Sequence, residues 1–258
     1  MLDEITPLII TYNEAQNIQR ALDKLTWAQR IIVVDSGSTD TTLDILRTYS
    51  QVDVFVRPFV NFASQCNFGL SQVATPWVLS LDADYELSDE LITELQSLTP
   101  TETTAGYRTR FVYRIFGRPL RASLYPPRTV LYRKGRAVYE QEGHCQRVVI
   151  DGDIAELQGF TYHDDRKPIG PWFGTQQRYA RAEAQYLLET PYNTLSKADK
   201  VRLIGWPAPI AVLVYTLFVK GCVLDGWPGW YYALQRVIAE LAIALEIVDQ
   251  RLRNNPRS

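Results

Sequence analysis

The chain has 258 residues, 46% hydrophobic and 22% charged, with a formal net charge of −2; this predicts an ordinary globular protein and excludes a disordered chain, collagen and a disulfide miniprotein. At roughly 100–200 residues per domain, the length fits one large domain or one domain with an appendage. Cys66, Cys145 and Cys222 are odd in number, far apart and without a Cys-x-x-Cys pair, which argues against a disulfide framework or structural zinc and for a reducing compartment.

The start, MLDEITPLIITYNE, puts acids before a short apolar run and has no basic stretch, so no targeting peptide is expected and the protein is read as cytosolic. Residues 5–10 read as a strand, 14–25 as a helix with Ile18, Ala21, Leu22 and Leu25 at helical spacing, and 31–34 as a buried strand ending in Asp35-Ser36-Gly37-Ser38-Thr39-Asp40. A helix over 41–49, a strand over 52–56, a helix over 62–72 and a strand over 77–81 follow. Ser88 is placed to cap a helix over 89–98, with Asp89 and Glu90 against the positive end of its dipole. This alternation predicts a doubly wound, mostly parallel sheet.

After Pro100 the texture changes. Tyr107, Thr109, Phe111 and Tyr113 alternate with Arg108, Arg110 and Arg114, the pattern of a strand with one polar face. Short strands are expected at 130–133, 148–150 and 160–162, and helices at 172–189 and 227–248. Residues 203–219 carry no charge, but they sit at the short end of the roughly 17–25 residues a spanning helix needs, and Pro207 and Pro209 interrupt them. A buried or in-plane helix is therefore favoured over a span. Trp206, Tyr215, Trp227, Trp230, Tyr231 and Tyr232, with Arg202 and Lys220, fit an interfacial anchor and predict peripheral membrane contact.

Charge is divided along the chain: residues 1–100 hold 14 acids and 5 bases, residues 101–258 hold 15 acids and 22 bases. From Arg108 to Arg136 nine bases occur with no acid between them, either as a solvated face or as a surface for phosphates and anionic head groups. The sequence pI of about 5.8 speaks against nucleic acid as a partner.

In a parallel sheet, ligands bind beyond the carboxyl ends of the strands. Those ends carry Thr11-Tyr12-Asn13-Glu14, Asp35 with Ser36, and Asp82-Ala83-Asp84. Two carboxylates held together after an apolar strand suit magnesium or manganese shared with substrate phosphates, although Asp-x-Asp alone is a weak signal and also fits surface acids capping a helix. Strand one is followed by neither a Gly-x-Gly-x-x-Gly nor a Gly-Lys-Ser/Thr motif, which removes support for a Rossmann dinucleotide enzyme or a P-loop NTPase. An aspartate-based phosphohydrolase would place its Asp-x-Asp differently.

Taken together, Thr11-Tyr12-Asn13-Glu14, the run from Ile32 to Asp40, and Leu81-Asp82-Ala83-Asp84 resemble the motif series of the family 2 glycosyltransferases with the GT-A fold. The resemblance covers about the first hundred residues. The segments Tyr162-His163-Asp164-Asp165-Arg166-Lys167 and Gln177-Arg178-Tyr179-Ala180 resemble bacterial members related to lipopolysaccharide-core glucosyltransferases. It implies a nucleotide-diphosphate sugar as donor, a UDP-sugar being favoured, and places Thr11, Tyr12, Asn13, Glu14, Ser36, Gln65 and Ala83 in the substrate site. It makes Asp35 a partner of the base or ribose, Asp82 a partner of the ribose or metal, Asp84 the main ligand of Mg2+ or Mn2+, and His163 a further metal ligand. Inverting transfer also needs a base for the acceptor hydroxyl. Relatives of this kind carry it in a short acidic motif after the Asp-x-Asp, matched here by Glu142 with Glu140 in reserve; His144 is an alternative by pKa.

Two departures from the family pattern are Tyr85, where many relatives carry an acid, and the altered acidic motif around Glu142. Gln176, Gln177 and Arg178 match the processive relatives' motif poorly, favouring single transfer and leaving Arg178 as a contact for the diphosphate or acceptor. The expected organisation is a GT-A domain over 1–195, divided at residue 100 into nucleotide and acceptor halves, and a helical, apolar, membrane-associating extension over 196–258. The expected function is metal-dependent transfer to a lipid-linked or cell-envelope glycan, at the inner face of the cytoplasmic membrane. The alternative is a non-catalytic membrane-surface protein that keeps the fold.

Overall fold

The computed structural model describes residues 1–122, 124–142 and 145–254, and of residues 142, 145 and 146 the backbone. It forms two compact units, one of Met1–Gly117 with Tyr125–Arg166, the other of Arg118–Leu124 with the chain from Lys167 onward.

In the first unit, strands β1 (Ile5–Thr11), β2 (Ile31–Asp35), β3 (Val52–Val56) and β4 (Trp77–Asp82) pair in parallel in the order β3-β2-β1-β4. Ile31, Ile32, Val33 and Val34 are fully buried, as a strand covered on both faces requires. The chain steps from β1 outward to β2 and β3, then returns to the far side of β1 to form β4. The order of the strands therefore reverses between β1 and β4, which opens a crevice at their carboxyl ends.

The rest of the sheet comes from β5 (Tyr85–Leu87), β6 (Thr104–Ile115), β7 (Arg128–Arg133) and, after a hairpin of β8 (Ala137–Glu142) and β9 (Cys145–Ile150), from β10 (Asp153–His163). The order continues β4-β7-β6-β10-β5. β4 with β7, β7 with β6, and β10 with β5 are antiparallel, and β6 with β10 is parallel. The sheet is thus mixed where a mostly parallel one was expected. The alternating polar face along β6 is the signature of this antiparallel half.

Helices α1 (Ile18–Asp23), α2 (Thr42–Arg47), α3 (Phe62–Gln72) and α4 (Asp89–Ser97) cover both faces. Ile18, Leu22, Leu46, Leu91 and Leu95 pack with Ile9, Val33 and Leu79 on one side; Ala63, Cys66 and Leu70 pack with Leu8, Ile32 and Val78 on the other. Each fully buried aliphatic side chain contributes about 1.5–3 kcal/mol of transfer free energy. Ser88 caps α4 as expected, its Oγ accepting the Leu91 N–H at 3.1 Å. Gly159 lets β10 approach α4 closely, since a Cβ there would stand 2.4 Å from Leu91 Cα.

The second unit contains α5 (Ile169–Glu189), α6 (Lys197–Ile204), α7 (Pro207–Val214), a π turn at Tyr215–Val219, a 3-10 turn at Cys222–Asp225 and α8 (Trp227–Asn254). Ala184, Leu187, Leu195 and Ile247 form its core. The buried Glu240 accepts two hydrogen bonds from Arg202, at 3.0 and 2.7 Å. Residues 167–195, expected to continue the first domain, group with these helices. The uncharged run 203–219 is no single helix, because Gly205 ends α6 at a φ of 93° and Pro207 starts α7. Among the described residues no helix is long and apolar enough to cross a membrane.

Candidate active site

The ends of β1 and β2 are tied to each other before any ligand is considered. Thr11 lies opposite Asp35 and Ile10 opposite Asp82 across the strands, so the three polar ends share one edge of the sheet. Asn13 adopts a φ of 54°, a left-handed conformation that asparagine tolerates better than most residues. Its N–H donates to Ser38 Oγ at 2.8 Å, and its Oδ1 accepts the Thr39 N–H at 2.8 Å. The Glu14 N–H donates to Thr42 Oγ1 at 2.8 Å. These bonds hold residues 13–17 in turns, so the helix expected from residue 14 begins at Ile18.

Asp35 is fully buried. Its Oδ1 accepts the Gly37 and Ser38 N–H groups at 2.9 and 2.8 Å, and its Oδ2 accepts the Ser38 hydroxyl. The carboxylate that sequence reasoning assigns to the base or ribose therefore holds the following turn. Gln65 donates to Ser36 Oγ at 3.0 Å and accepts from Arg57 at 2.7 Å. Tyr12 is exposed, while Thr11 is buried and its Oγ1 has no hydrogen-bond partner among the described residues.

At the end of β4, Asp82 and Asp84 flank the buried Ala83. Burial, and next the Asp84 charge, raise the Asp82 pKa above the usual carboxylate range; the Tyr85 hydroxyl and the positive charges of Arg128 and His163 oppose the shift. Asp84 Oδ2 lies 2.9 Å from His163 Nε2. Burial alone would lower the His163 pKa, but the Asp84 charge, its hydrogen bond and the further charges of Asp82 and Asp165 leave it raised. Tyr85, the departure from the family pattern, is buried, with its ring centroid 4.9 Å from that of Phe111 and 5.2 Å from that of His163, and its hydroxyl lies 3.3 Å from that of Tyr125.

Beside Asp82 is a cavity of about 250 Å³ lined by residues that include Ser80, Tyr85, Arg128, Tyr139 and Arg147. The β8–β9 hairpin forms part of its wall and is pinned to the sheet. Tyr139 OH donates to Ser80 Oγ at 2.7 Å, and Asn67 bonds both the N–H and the carbonyl of Tyr139, at 2.9 and 2.8 Å. Glu140 is exposed on this hairpin and lies opposite Arg147. Glu142 ends β8 with its side chain outside the described residues, and His144 lies outside them altogether.

A network that joins residues outside the motifs, Asn17, Arg20, Glu86 and Arg114, to motif residues braces the site. Asn17 donates to Glu14 Oε2 at 2.8 Å and to Asp165 Oδ1 at 2.9 Å. Arg20 donates to Glu86 Oε1 at 2.7 Å and to the Asp164 carbonyl at 2.6 Å. Arg114 reaches Glu86 Oε2 at 3.2 Å while its guanidinium stacks 3.1 Å from the Tyr162 ring centroid. Asp164 is fully buried, and its Oδ2 accepts from Arg166 and from the Gly117 N–H. The first-motif loop is thereby joined to the His163–Arg166 segment. One signal in the sequence was available: an acid inside the short apolar strand Tyr85-Glu86-Leu87 must find cations when buried.

Among the described residues, no group of three or more His, Cys, Asp and Glu side chains is gathered as a set that could hold a metal ion. His163 is the hydrogen-bond partner of Asp84. The chemistry of the two aspartates fits a magnesium-like ion: they offer hard oxygen donors, two residues apart at the end of β4. Such an ion is commonly held by one or two carboxylates, with substrate phosphates completing its shell. Arg178 belongs to the second unit, where it is exposed and lies 3.3 Å from Thr175 Oγ1.

The family described as glycosyl transferase family 2 matches residues 7–143. A Rickettsia bellii protein described as an uncharacterized glycosyltransferase is 34% identical over 98% of this chain and 89% of its own. The lipopolysaccharide core biosynthesis glycosyltransferase LpsC of Rhizobium meliloti is 29% identical over 76% of this chain and 71% of its own. Among solved structures, residues 1–349 of S. aureus TarS in complex with UDP-GlcNAc superpose with a TM-score of 0.48 at 15% identity, covering 96% of this chain and 92% of that one. The chain belongs to glycosyl transferase family 2 and is a glycosyltransferase.

Proposed function

We propose that the protein moves a single sugar, with inversion, from a nucleotide-diphosphate sugar to a lipid-linked or cell-envelope glycan, on a GT-A scaffold at the inner face of the cytoplasmic membrane. The observation that carries the reading is the placement of Asp82 and Asp84 at the crevice between β1 and β4, with Asp84 oriented by His163 and a cavity beside Asp82. Thr11, Asn13 and Glu14 form the nucleotide floor, and Asp35 with Ser38 fixes the turn that borders it. Asp82 accepts from the ribose, and Asp84, with Asp82 and His163 near it, would hold Mg2+ or Mn2+ beside the donor diphosphate. The bound ion neutralises charge on the donor and on the departing nucleoside diphosphate. A UDP-sugar is the donor to test first.

The cavity beside Asp82 receives the acceptor, and the hairpin supplies the base. Glu142, with Glu140 in reserve, takes the proton from the acceptor hydroxyl as its oxygen attacks the anomeric carbon. Attack opposite the leaving nucleoside diphosphate inverts that carbon. The test is donor turnover with a panel of acceptors for wild type, Glu142→Gln, Glu140→Gln and Asp84→Ala. Asp84→Ala should lose turnover and donor binding together, whereas Glu142→Gln should lose turnover while still binding donor. Full activity in Glu142→Gln with loss in Glu140→Gln moves the base to Glu140; full activity in both glutamine variants removes the hairpin from the chemistry.

A further inference from the structure

The second unit exposes more large apolar side chains than its own core explains. Trp206 is 73% exposed, Phe218 65% and Leu224 69%, with Ile204, Ile210, Val214, Val219, Trp227 and Trp230 also exposed. Isolated apolar side chains on a surface need no explanation, but a collection of this size does. The elements that carry them pack on one another: α7 against α8, the π turn against the 3-10 turn, and the 3-10 turn against α8. Gly229 makes the last contact possible, since a Cβ there would stand 1.8 Å from the Cys222 carbonyl oxygen. Pro228, Gly229, Tyr232 and Ala233 form the buried side of this end of α8, while Trp227, Trp230 and Leu234 are exposed.

Among the described residues, the one acid on this face, Asp225, is paired with Arg121, and the other charges beside it are basic. Residues 203–224 contain Lys220 and no acid. The Arg118 guanidinium lies 5.4 Å from the Trp227 ring centroid, and Lys220 Nζ lies 5.6 Å from that of Tyr215. The acid that follows, Asp225, is 3.2 Å from Arg121 Nε and also accepts the Arg121 N–H at 3.0 Å. Exposed tryptophans beside bases, around an apolar surface, match the interface of a bilayer that carries negative head groups.

We infer that α7, the two turns after it and the first turns of α8 form a docking face for an anionic lipid surface, with Trp206, Phe218, Leu224, Trp227 and Trp230 entering the head-group layer and Arg118 and Lys220 meeting lipid phosphates. This deepens the proposed membrane location and rests on it. It names the face and the lipid chemistry.

The test is co-sedimentation of the full chain with vesicles of phosphatidylcholine alone and of phosphatidylcholine with 30% phosphatidylglycerol, alongside sedimentation velocity without lipid. The chain should bind the anionic vesicles. Replacing Trp206, Phe218 and Leu224 together with Ser should lower the partition coefficient more than tenfold without changing the circular dichroism melt, because these side chains are exposed. Arg118→Ala and Lys220→Ala should each lower it about fivefold, and only on anionic vesicles. Equal binding to both vesicle types, or unchanged binding by the serine triple variant, overturns the inference. So does a stable dimer without lipid that the triple variant abolishes, which would assign the face to a second copy of the chain. Donor turnover measured in solution separates the two readings: its persistence alongside failed vesicle binding removes the docking face and leaves the transferase site in place.

Discussion

His163 and Asp84 meet at 2.9 Å, Nε2 to Oδ2, where the short strand after the Asp-x-Asp motif pairs with the end of β10 and sets His163 opposite Tyr85. Residues 79 apart in sequence are held together by a sheet register, and the orientation of the Asp84 carboxylate depends on a strand that closes the second half of the sheet.

The role expected of His163 from this contact is to position Asp84. His163→Ala should lower kcat/KM about 10–100-fold, mainly through a raised donor KM, and His163→Gln should restore part of the loss by offering Asp84 another donor. Steady-state kinetics over a donor series checks this. An equal fall in kcat at unchanged donor KM would place His163 in the chemical step.

The Glu86 carboxylate sits between Arg20 and Arg114 with little exposure. Arg20→Ala removes the nearer cation and leaves the carboxylate buried, so the variant should lose about 2–4 kcal/mol of stability. Arg20→Ala with Glu86→Gln should lose less than the sum of the single changes. Urea unfolding of the four proteins of this cycle measures the coupling.

Gly159→Ala should destabilise the first unit by about 3 kcal/mol, because the new methyl group meets the α4 backbone at Leu91 and forces the helix from the sheet. Gly135→Ala, with open space around it, is the matched control and should change stability by less than about 0.5 kcal/mol. Both are read by denaturant midpoints.

Burial, and next the Asp82 charge, push the Cys66 thiol up to about 12. A thiol attacks as its thiolate, so at pH 8 the folded protein should hold Cys66 unmodified by iodoacetamide, and denaturant should expose it. Rapid labelling of Cys66 in folded protein, mapped by mass spectrometry, would contradict the packing of α3 against β1 and β2.

The parallel half of the fold was legible because it is built from local patterns. The bounds of β3 and α3 match the sequence expectation residue for residue, and β1 and β4 each run one residue further into the site. Helix α1 is shorter than its sequence pattern predicts because Asn13, Glu14 and Asn17 use their polar groups on Ser38, Thr42 and Asp165, none of which is a neighbour in sequence. Asp35 ends β2, and its carboxylate accepts hydrogen bonds from its own turn, a local contact that the sequence does not display. The Arg20–Glu86–Arg114 set leaves no periodic trace, since its members come from α1, β5 and β6. The grouping of α5 with the C-terminal helices depends on packing that no motif records.

The central claim is that Asp84 holds the donor diphosphate through a divalent cation. Its most direct test is calorimetric titration of wild type and Asp84→Ala with UDP-sugars, and then with guanosine and thymidine diphosphate sugars, in manganese or magnesium and again in chelator. One donor should bind wild type with metal, and chelator or the substitution should weaken that binding at least tenfold. Donor binding that is equally tight in chelator and in Asp84→Ala would contradict the claim.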